Sequence, residues 1–329
     1  MAAAASSITP LWLDVDPGHD DAFALLLAAH NPQVHLLGVS TVHGNASLEH
    51  TTQNSLSILE AIGCRDIPVY PGASTAWLVA TGTLTNAARV IKEHPDLAGH
   101  LKGFSIMGGA IGNGFTDAPL GKIAGEGERF GNWTPYAEFN IYCDPEAAQF
   151  LLTHPIIAPK TTIMPLDVTH QVLGTSAVQT KLLHLPSSPS SEKPLPTPIR
   201  ALFHEIMTFF AKTYAEEFAL TEGPPLHDPL AVAATFAPDL FDDNAGERFS
   251  VDVVTQGEHR ADPAQNRADA EAVGQLGRTL VTKVDGEGVR IPRRLDVARF
   301  WDMIDEALAK AEETSPLPAL EGDWWKTRV

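Results

Sequence analysis

The sequence predicts an α/β fold: an open, mostly parallel sheet flanked by helices in a single domain. Three observations predict it. Short β-rich runs alternate with longer helical patterns along most of the chain. Acidic and amide side chains cluster just after the strand runs, where open sheets of this kind place their ligands. A length of 329 residues with 44% hydrophobic content suits one large domain with a sizeable core, although length alone also admits two.

The elements follow in order. Residues 1–10 open on Met1-Ala-Ala-Ala-Ala-Ser-Ser, with neither a basic start nor a long apolar run, and are expected to be a disordered tail rather than a signal or a membrane span. Residues 11–16 form the first strand, and Pro17-Gly18 turns the chain into a helix over 21–30 that stops before Asn31-Pro32. A strand at 34–42 and a helix at 48–62, closed by Gly63, come next. Strands at 67–70, 76–80, 103–107 and 161–166 alternate with helices at 85–93 and 145–152. The Gly-rich run 111–129, inside a long loop over 111–135, exceeds an ordinary connection and reads as a surface flap beside the site. Residues 186–198 (PSSPSSEKPLPTP) carry too much proline for a helix or central strand and read as a surface linker. Helices at 199–218 and 295–313 complete a domain over 11–315, and 316–329 form a C-terminal tail.

A net charge of −18 without a basic stripe argues against a nucleic-acid partner. No run of 18 apolar residues is present, so a membrane role is not expected and a cytoplasmic protein is. Cys64 and Cys143 have no zinc-type spacing and read as small buried residues of a reduced compartment.

The densest chemistry follows the first strand, in Asp14-Val-Asp16-Pro-Gly-His-Asp20-Asp21. Strand alternation puts Asp14 and Asp16 on one face, and the turn brings Asp20 and Asp21 to the start of a helix. Four such charges would repel by several kcal/mol at an effective dielectric of ~20, so a cation is expected among them, calcium or magnesium by ligand hardness. Two other readings exist. Asp20 and Asp21 could simply cap the helix, which leaves Asp14 and Asp16 unexplained. An Asp-x-Asp phosphotransferase would want Thr or Val where this chain has Pro17.

This segment resembles the amino-terminal signature of the inosine-uridine preferring nucleoside hydrolases. Val42-His-Gly-Asn45, Thr81-Gly-Thr-Leu-Thr-Asn86, Met107-Gly-Gly, Glu138-Phe-Asn140 with Asp144-Pro-Glu-Ala-Ala148, Pro165-Leu-Asp-Val-Thr169 and His227-Asp228-Pro-Leu-Ala-Val follow in the family's order. The resemblance covers residues 11–306. It implies a nucleoside hydrolase-like fold and hydrolysis of the N-glycosidic bond of ribonucleosides to free base and ribose, in nucleoside salvage. It implies Ca2+ held by Asp16, Asp21, the Thr81 backbone carbonyl and Asp228. Asp16 would be the general base toward the attacking water, and Asn45 would orient that water. Asp20, Asn140 and Asp228 would bind the ribose 2′ and 3′ hydroxyls, with Asn132 and Glu138 on the 5′ hydroxyl. His227 would protonate or polarise the leaving base, since a histidine can hold a transferable proton near neutral pH. Met107, Tyr214 and Phe218 are candidate base contacts, the last two at i, i+4 on one helix face. Asn86, His43 and His170 read as structural or peripheral. The resemblance further implies a homodimer or homotetramer, and the flap leans toward uridine as substrate.

One departure stands out. Between Gly72 and Trp77 the chain has only Ala-Ser-Thr-Ala, where family members carry a much longer segment with a helix and a His-Gly pair near the base. Consecutive parallel strands need a crossover of roughly a dozen residues, which this stretch cannot supply. A splice form or gene-model error is the favoured account. A displaced strand is the second, and a degenerate homologue that binds calcium and nucleoside without turnover is the third.

Overall fold

The computed structural model describes residues 8–67, 76–123, 129–183, 196–257 and 275–318. Strand β1 (Thr9–Val15) buries Leu11, Leu13 and Val15 on one face by simple alternation and leaves Trp12 and Asp14 on the other. The chain turns at Pro17-Gly18 into α1 (His19–His30), almost wholly buried, which opens two residues earlier than the acids suggest because Gly18 serves as its cap. β2 (Val34–Thr41) lies parallel to β1, and α2 (Leu48–Ala61) follows, its first turn capped by Ser47. β3 (Trp77–Ala80) pairs with the other edge of β1. Helices α3 (Thr85–Glu93) and α4 (Leu97–His100) lead to β4 (Gly103–Met107), which is fully buried. α5 (Phe139–Cys143) and α6 (Pro145–Leu152) precede β5 (Thr161–Met164).

These five strands form one parallel sheet in the order β2-β1-β3-β4-β5. Strand order reverses at β1, which opens a crevice beyond the carboxyl ends of β1 and β3. β4 shows how both faces are used: Phe104 and Ile106 join the core under α3 and α6, while Met107 joins the core under α1 and α10 and Ser105 Oγ donates to Ala231 O at 2.7 Å.

The remaining elements are α7 (Leu166–Thr169), α8 (Ser176–Leu183), α9 (Pro198–Phe218) and α10 (Asp228–Phe236), then β6 (Phe241–Asp242), β7 (Arg248–Val253), β8 (Thr279–Val284), β9 (Arg294–Leu295) and α11 (Val297–Thr314). β6 pairs with β9 and β7 with β8, both antiparallel. Sequence reading misses both pairs. The strand expected over 161–166 stops at Met164, because Pro165 starts α7.

Residues 1–7, 68–75, 124–128, 184–195, 258–274 and 319–329 lie outside the described residues. They include nearly all of the expected 67–70 strand, the shortened stretch up to Thr75, part of the flap, most of the 186–198 linker and most of the C-terminal tail. The expectation of two buried cysteines fails: both are free, Cys64 is half-buried and Cys143 is exposed at the end of α5. The described part of the flap, 111–123, is fixed at its root. Ile111 N and Gly112 N donate to the buried Asp167 carboxylate at 2.8 and 2.9 Å, and Arg293 holds Phe115 O at 2.7 Å.

Candidate active site

Asp16 stands immediately past the end of β1, where the Pro17-Gly18 turn releases it from strand geometry. Its Oδ2 accepts the backbone N–H of Asn45 at 2.8 Å, and the Asn45 side chain donates back to Asp16 O at 3.2 Å. The loops are close enough that a Cβ on Gly44 would lie 2.0 Å from Asp16 Oδ2, and one on Gly82 would lie 2.8 Å from Oδ1. Both positions therefore exclude a side chain.

Asp20 and Asp21 occupy the first turn of α1, and Asp228 opens α10, so two helix N-termini face the same point. Carboxylate oxygens of Asp20, Asp21 and Asp228 lie within 4.8 Å of one another, all buried. Asp21 accepts from Gly18 N and Thr81 Oγ1, each at 2.9 Å, so it caps the helix and faces the cluster at once. Asp228 is within hydrogen-bond reach of both Asp20 and Asp21, which requires a proton or a cation between them.

Burial and the neighbouring acids push Asp16 up to about 9 and Asp21 up to about 7, and raise Asp228 well above the carboxylate range. Asp20 is held below its ordinary value: its burial is outweighed by His19, 3.5 Å away, and by His227. Among the described residues no Lys or Arg ion pair reaches these acids. Buried, crowded and without a Lys or Arg partner, the all-oxygen donor set fits a hard divalent cation. The Thr81 carbonyl is directed into the same cavity, where it accepts Asn140 Nδ2 at 2.7 Å and keeps a second lone pair.

Asp14 does not join the cluster. It sits inside β1 on the opposite face, where Ser40 Oγ donates to its Oδ1 at 2.5 Å and Asn86 Nδ2 at 3.2 Å. The expected group of Asp14, Asp16, Asp20 and Asp21 is thus only partly met: the oxygens within 4.8 Å of one another are those of Asp20, Asp21 and Asp228, and Asp16 lines the adjoining cavity while Asp14 does not. Asn86, also bonded to Thr41 O, has the structural place expected of it.

A cavity of about 230 Å³ adjoins the acids and brings together Asp16, Asp20, Asn45, Thr81, Met107, Asn132, Glu138, Asn140, Tyr214, Phe218, His227 and Asp228. Asp21 lies just behind it. Glu138 caps α5, accepting Asn140 N at 2.8 Å, Gly109 N at 2.9 Å and Ile141 N at 3.1 Å, which leaves about one acceptor direction free. Asn132 Oδ1 accepts Phe139 N at 3.0 Å, so its amide nitrogen remains available. Asn140 Oδ1 is buried without a partner, while its Nδ2 also approaches Met107 Sδ at 3.4 Å.

On the far side, His227 Nδ1 shares a hydrogen bond with Thr169 Oγ1 at 2.7 Å and Nε2 shares one with Tyr214 OH at 3.1 Å. Burial drives the ring down to about 3, below the near-neutral range that the sequence expectation rests on. Tyr214 packs on Phe218 at 5.7 Å between ring centroids.

Sequence reading misses His19, Trp133, Phe139, Phe210 and Thr213, which also line this cavity. Phe210 was within reach, since it extends the Tyr214 and Phe218 spacing one turn back along α9. Trp133, 56% exposed beside Asn132, carries no pattern of its own. The described flap lines a neighbouring cavity with residues 114–119 and also packs beside this one, where Lys122 N donates to Phe218 O at 2.8 Å and Arg129 lies over the Phe218 ring.

An acid cluster at the switch point of a parallel sheet, facing amides and a histidine–tyrosine pair, marks the ligand site of an α/β protein. The sequence profile of the inosine-uridine preferring nucleoside hydrolases matches residues 11–78 and 74–302. The chain belongs to that family, and so to the hydrolases acting on N-glycosyl compounds. It is similar to the uridine nucleosidase of Saccharomyces cerevisiae, 29% identical over 371 aligned positions covering 94% of this chain and 98% of the relative. A pyrimidine-specific ribonucleoside hydrolase of Photobacterium profundum is 30% identical, over 76% of this chain and 86% of its own. In fold it is similar to a purine-preferring ribonucleoside hydrolase from Gardnerella vaginalis, with a TM-score of 0.71 at 22% identity, covering 93% and 100% of the two chains.

Proposed function

We propose that the chain hydrolyses the N-glycosidic bond of ribonucleosides, with a calcium ion held by Asp16, Asp21, Asp228 and the Thr81 carbonyl, in nucleoside salvage. The observation that carries this reading is the buried group of carboxylates, which among the described residues has no Lys or Arg paired to it. Bound there, a divalent cation offsets the clustered charge and makes a nearby water more acidic.

Asp16 is the base. Its Oδ2 is fixed by Asn45 N, and its other oxygen is free to accept a proton from the attacking water, with the Asn45 amide beside it to orient that water. Asp20, Asn140 and Asp228 bind the 2′ and 3′ hydroxyls, and Asn132 and Glu138 bind the 5′ hydroxyl. The positive charge that develops on the sugar is stabilised by the surrounding carboxylates. On the leaving side His227 acts as a neutral hydrogen-bonding ring, polarising the base through Tyr214 OH. Met107 and Phe218 contact the base beside it.

A single domain over 11–315 carries this activity and assembles as a homodimer or homotetramer. Among the described residues no helix is long and apolar enough to cross a membrane. The names of the yeast and Photobacterium relatives favour a pyrimidine nucleoside, uridine first. Ribose release from uridine, cytidine and inosine by the calcium-loaded protein tests the reading; three intact nucleosides would refute it. Thermal stabilisation by nucleoside without ribose release would select the alternative, a binding homologue without turnover.

A further inference from the structure

The cavity beside the acid cluster holds about 230 Å³, less than the roughly 300–1,000 Å³ of sites that enclose a small molecule. A nucleoside seated in it therefore extends to the rim. Three of the lining residues are exposed and form that rim: Asn45, Trp133 and Thr213. Only Trp133 is aromatic.

Trp133 is 56% exposed, a costly state for the largest aromatic side chain. Its backbone is held so that the ring stays there. Trp133 N and Thr134 N both donate to Ala137 O at 3.2 Å, and Arg129 donates to Gly131 O at 2.8 Å and Thr134 O at 3.1 Å. The turn is wound so closely that a Cβ on Gly131 would lie 2.3 Å from Ala137 O. The indole leans on α5, its centroid 5.2 Å from that of Phe139 and 6.3 Å from that of Tyr142, at interplanar angles of 64° and 47°. Neither ring stacks flat on it, so the indole is propped from one side and open on the other.

Trp133 follows Asn132 in the chain, and Phe139 follows Glu138. With Asn132 and Glu138 on the 5′ hydroxyl, the assignment on which this inference rests, both rings stand at the 5′ end of the sugar. Polar capacity there is small, because Glu138 already accepts three backbone N–H groups. No Lys or Arg lines the cavity, whereas Asp16, Asp20, Glu138 and Asp228 do. An aromatic wall backed by carboxylates suits an uncharged apolar group and repels a phosphate.

We propose that Trp133 is a specificity-determining substrate contact that covers the 5′ end of the sugar, so that the site takes ribonucleosides with a small apolar 5′ substituent, such as an alkylthio group, as well as those with a free 5′ hydroxyl.

Two derivatives of pseudouridine test this, the 5′-deoxy and the 5′-deoxy-5′-methylthio compounds, titrated by calorimetry into the calcium-loaded protein. Their base is joined to the sugar by a carbon–carbon bond, so binding is read without hydrolysis. The methylthio compound should bind about tenfold more tightly, through its buried methyl group and a sulfur–aromatic contact. Trp133→Ala should bring the ratio of the two affinities to about one, and Trp133→Phe should restore part of it. The ratio is the measurement, because damage to the fold weakens both ligands alike and leaves it unchanged. Equal binding of the pair by the parent, a ratio unchanged in Trp133→Ala, or no binding of either compound overturns the proposal. Ribose release from uridine is measured separately, so a chain that shows the ratio without turnover fails the catalytic reading and keeps this one.

Discussion

Individual residues decide whether the acid cluster works. Asp16 owes its placement to two glycines whose missing side chains let neighbouring loops close on it. Gly44→Ala would place a methyl 2.0 Å from Asp16 Oδ2, and the carboxylate must move by an ångström or more. A displacement of that size costs about 100-fold in kcat/KM, with far less effect on folding because the loop is near the surface. Steady-state ribose release and a melting curve check the two halves of this expectation. The cluster itself predicts a metal effect. Asp20, Asp21 and Asp228 repel when ionised and buried, so chelation should lower Tm and calcium should restore it. At a hundredfold excess over Kd the gain is about 2.7 kcal/mol. Differential scanning fluorimetry with and without chelator measures it, and equal Tm values would argue against a bound ion.

At the scale of elements, α9 carries Phe210, Tyr214 and Phe218 along one face toward the cavity and connects by Tyr214 OH to His227. Tyr214→Phe keeps the packing and deletes only the hydroxyl, so kcat should fall by about 10- to 100-fold with KM little changed. A rise in KM alone would assign Tyr214 to ground-state binding. The antiparallel β7–β8 pair is secured differently: Glu247 accepts Lys283 and Arg293, each at 2.8 Å. Hydrogen bonds from these two cations pull Glu247 down to about 2 from an ordinary 4.5. A lowered folded-state value stabilises fully above pH 4.5, and the gain vanishes as pH falls through about 2. Glu247→Gln should therefore lower Tm at pH 7 and converge on the parent near pH 2 in thermal melts. This pair was also the least legible part of the sequence. The parallel strands announce themselves because both faces are buried and the runs are continuously apolar, as in β4. β8 buries only its first residue, so its pattern merges with polar loop. The same physics separates Asp16 from Asp14: both read as acids of one motif, and only the three-dimensional end of β1 decides which reaches the crevice.

At the scale of the whole molecule, the sheet ends at β2, whose outer side has no partner strand among the described residues. Its side chains are mostly half-exposed, unlike those of β4. Further along the chain the family profile breaks just before and into β3, its two matches overlapping at residues 74–78. The alignment to the yeast relative spans 371 positions against 329 residues here, so that relative carries stretches this chain lacks. An uncovered edge strand invites pairing between copies. The acids, amides and His227 all lie on other elements, so ion binding should survive the shortening better than solubility or leaving-group activation. The chain as it stands is therefore expected to associate non-specifically and to release ribose slowly. Grafting the corresponding longer segment of the yeast uridine nucleosidase between Gly72 and Trp77 should raise the monodisperse fraction in light scattering and increase turnover. An ungrafted chain that is already monodisperse, melts at about 45–65 °C and turns over as fast as the graft would show that the fold closes its edge without that segment.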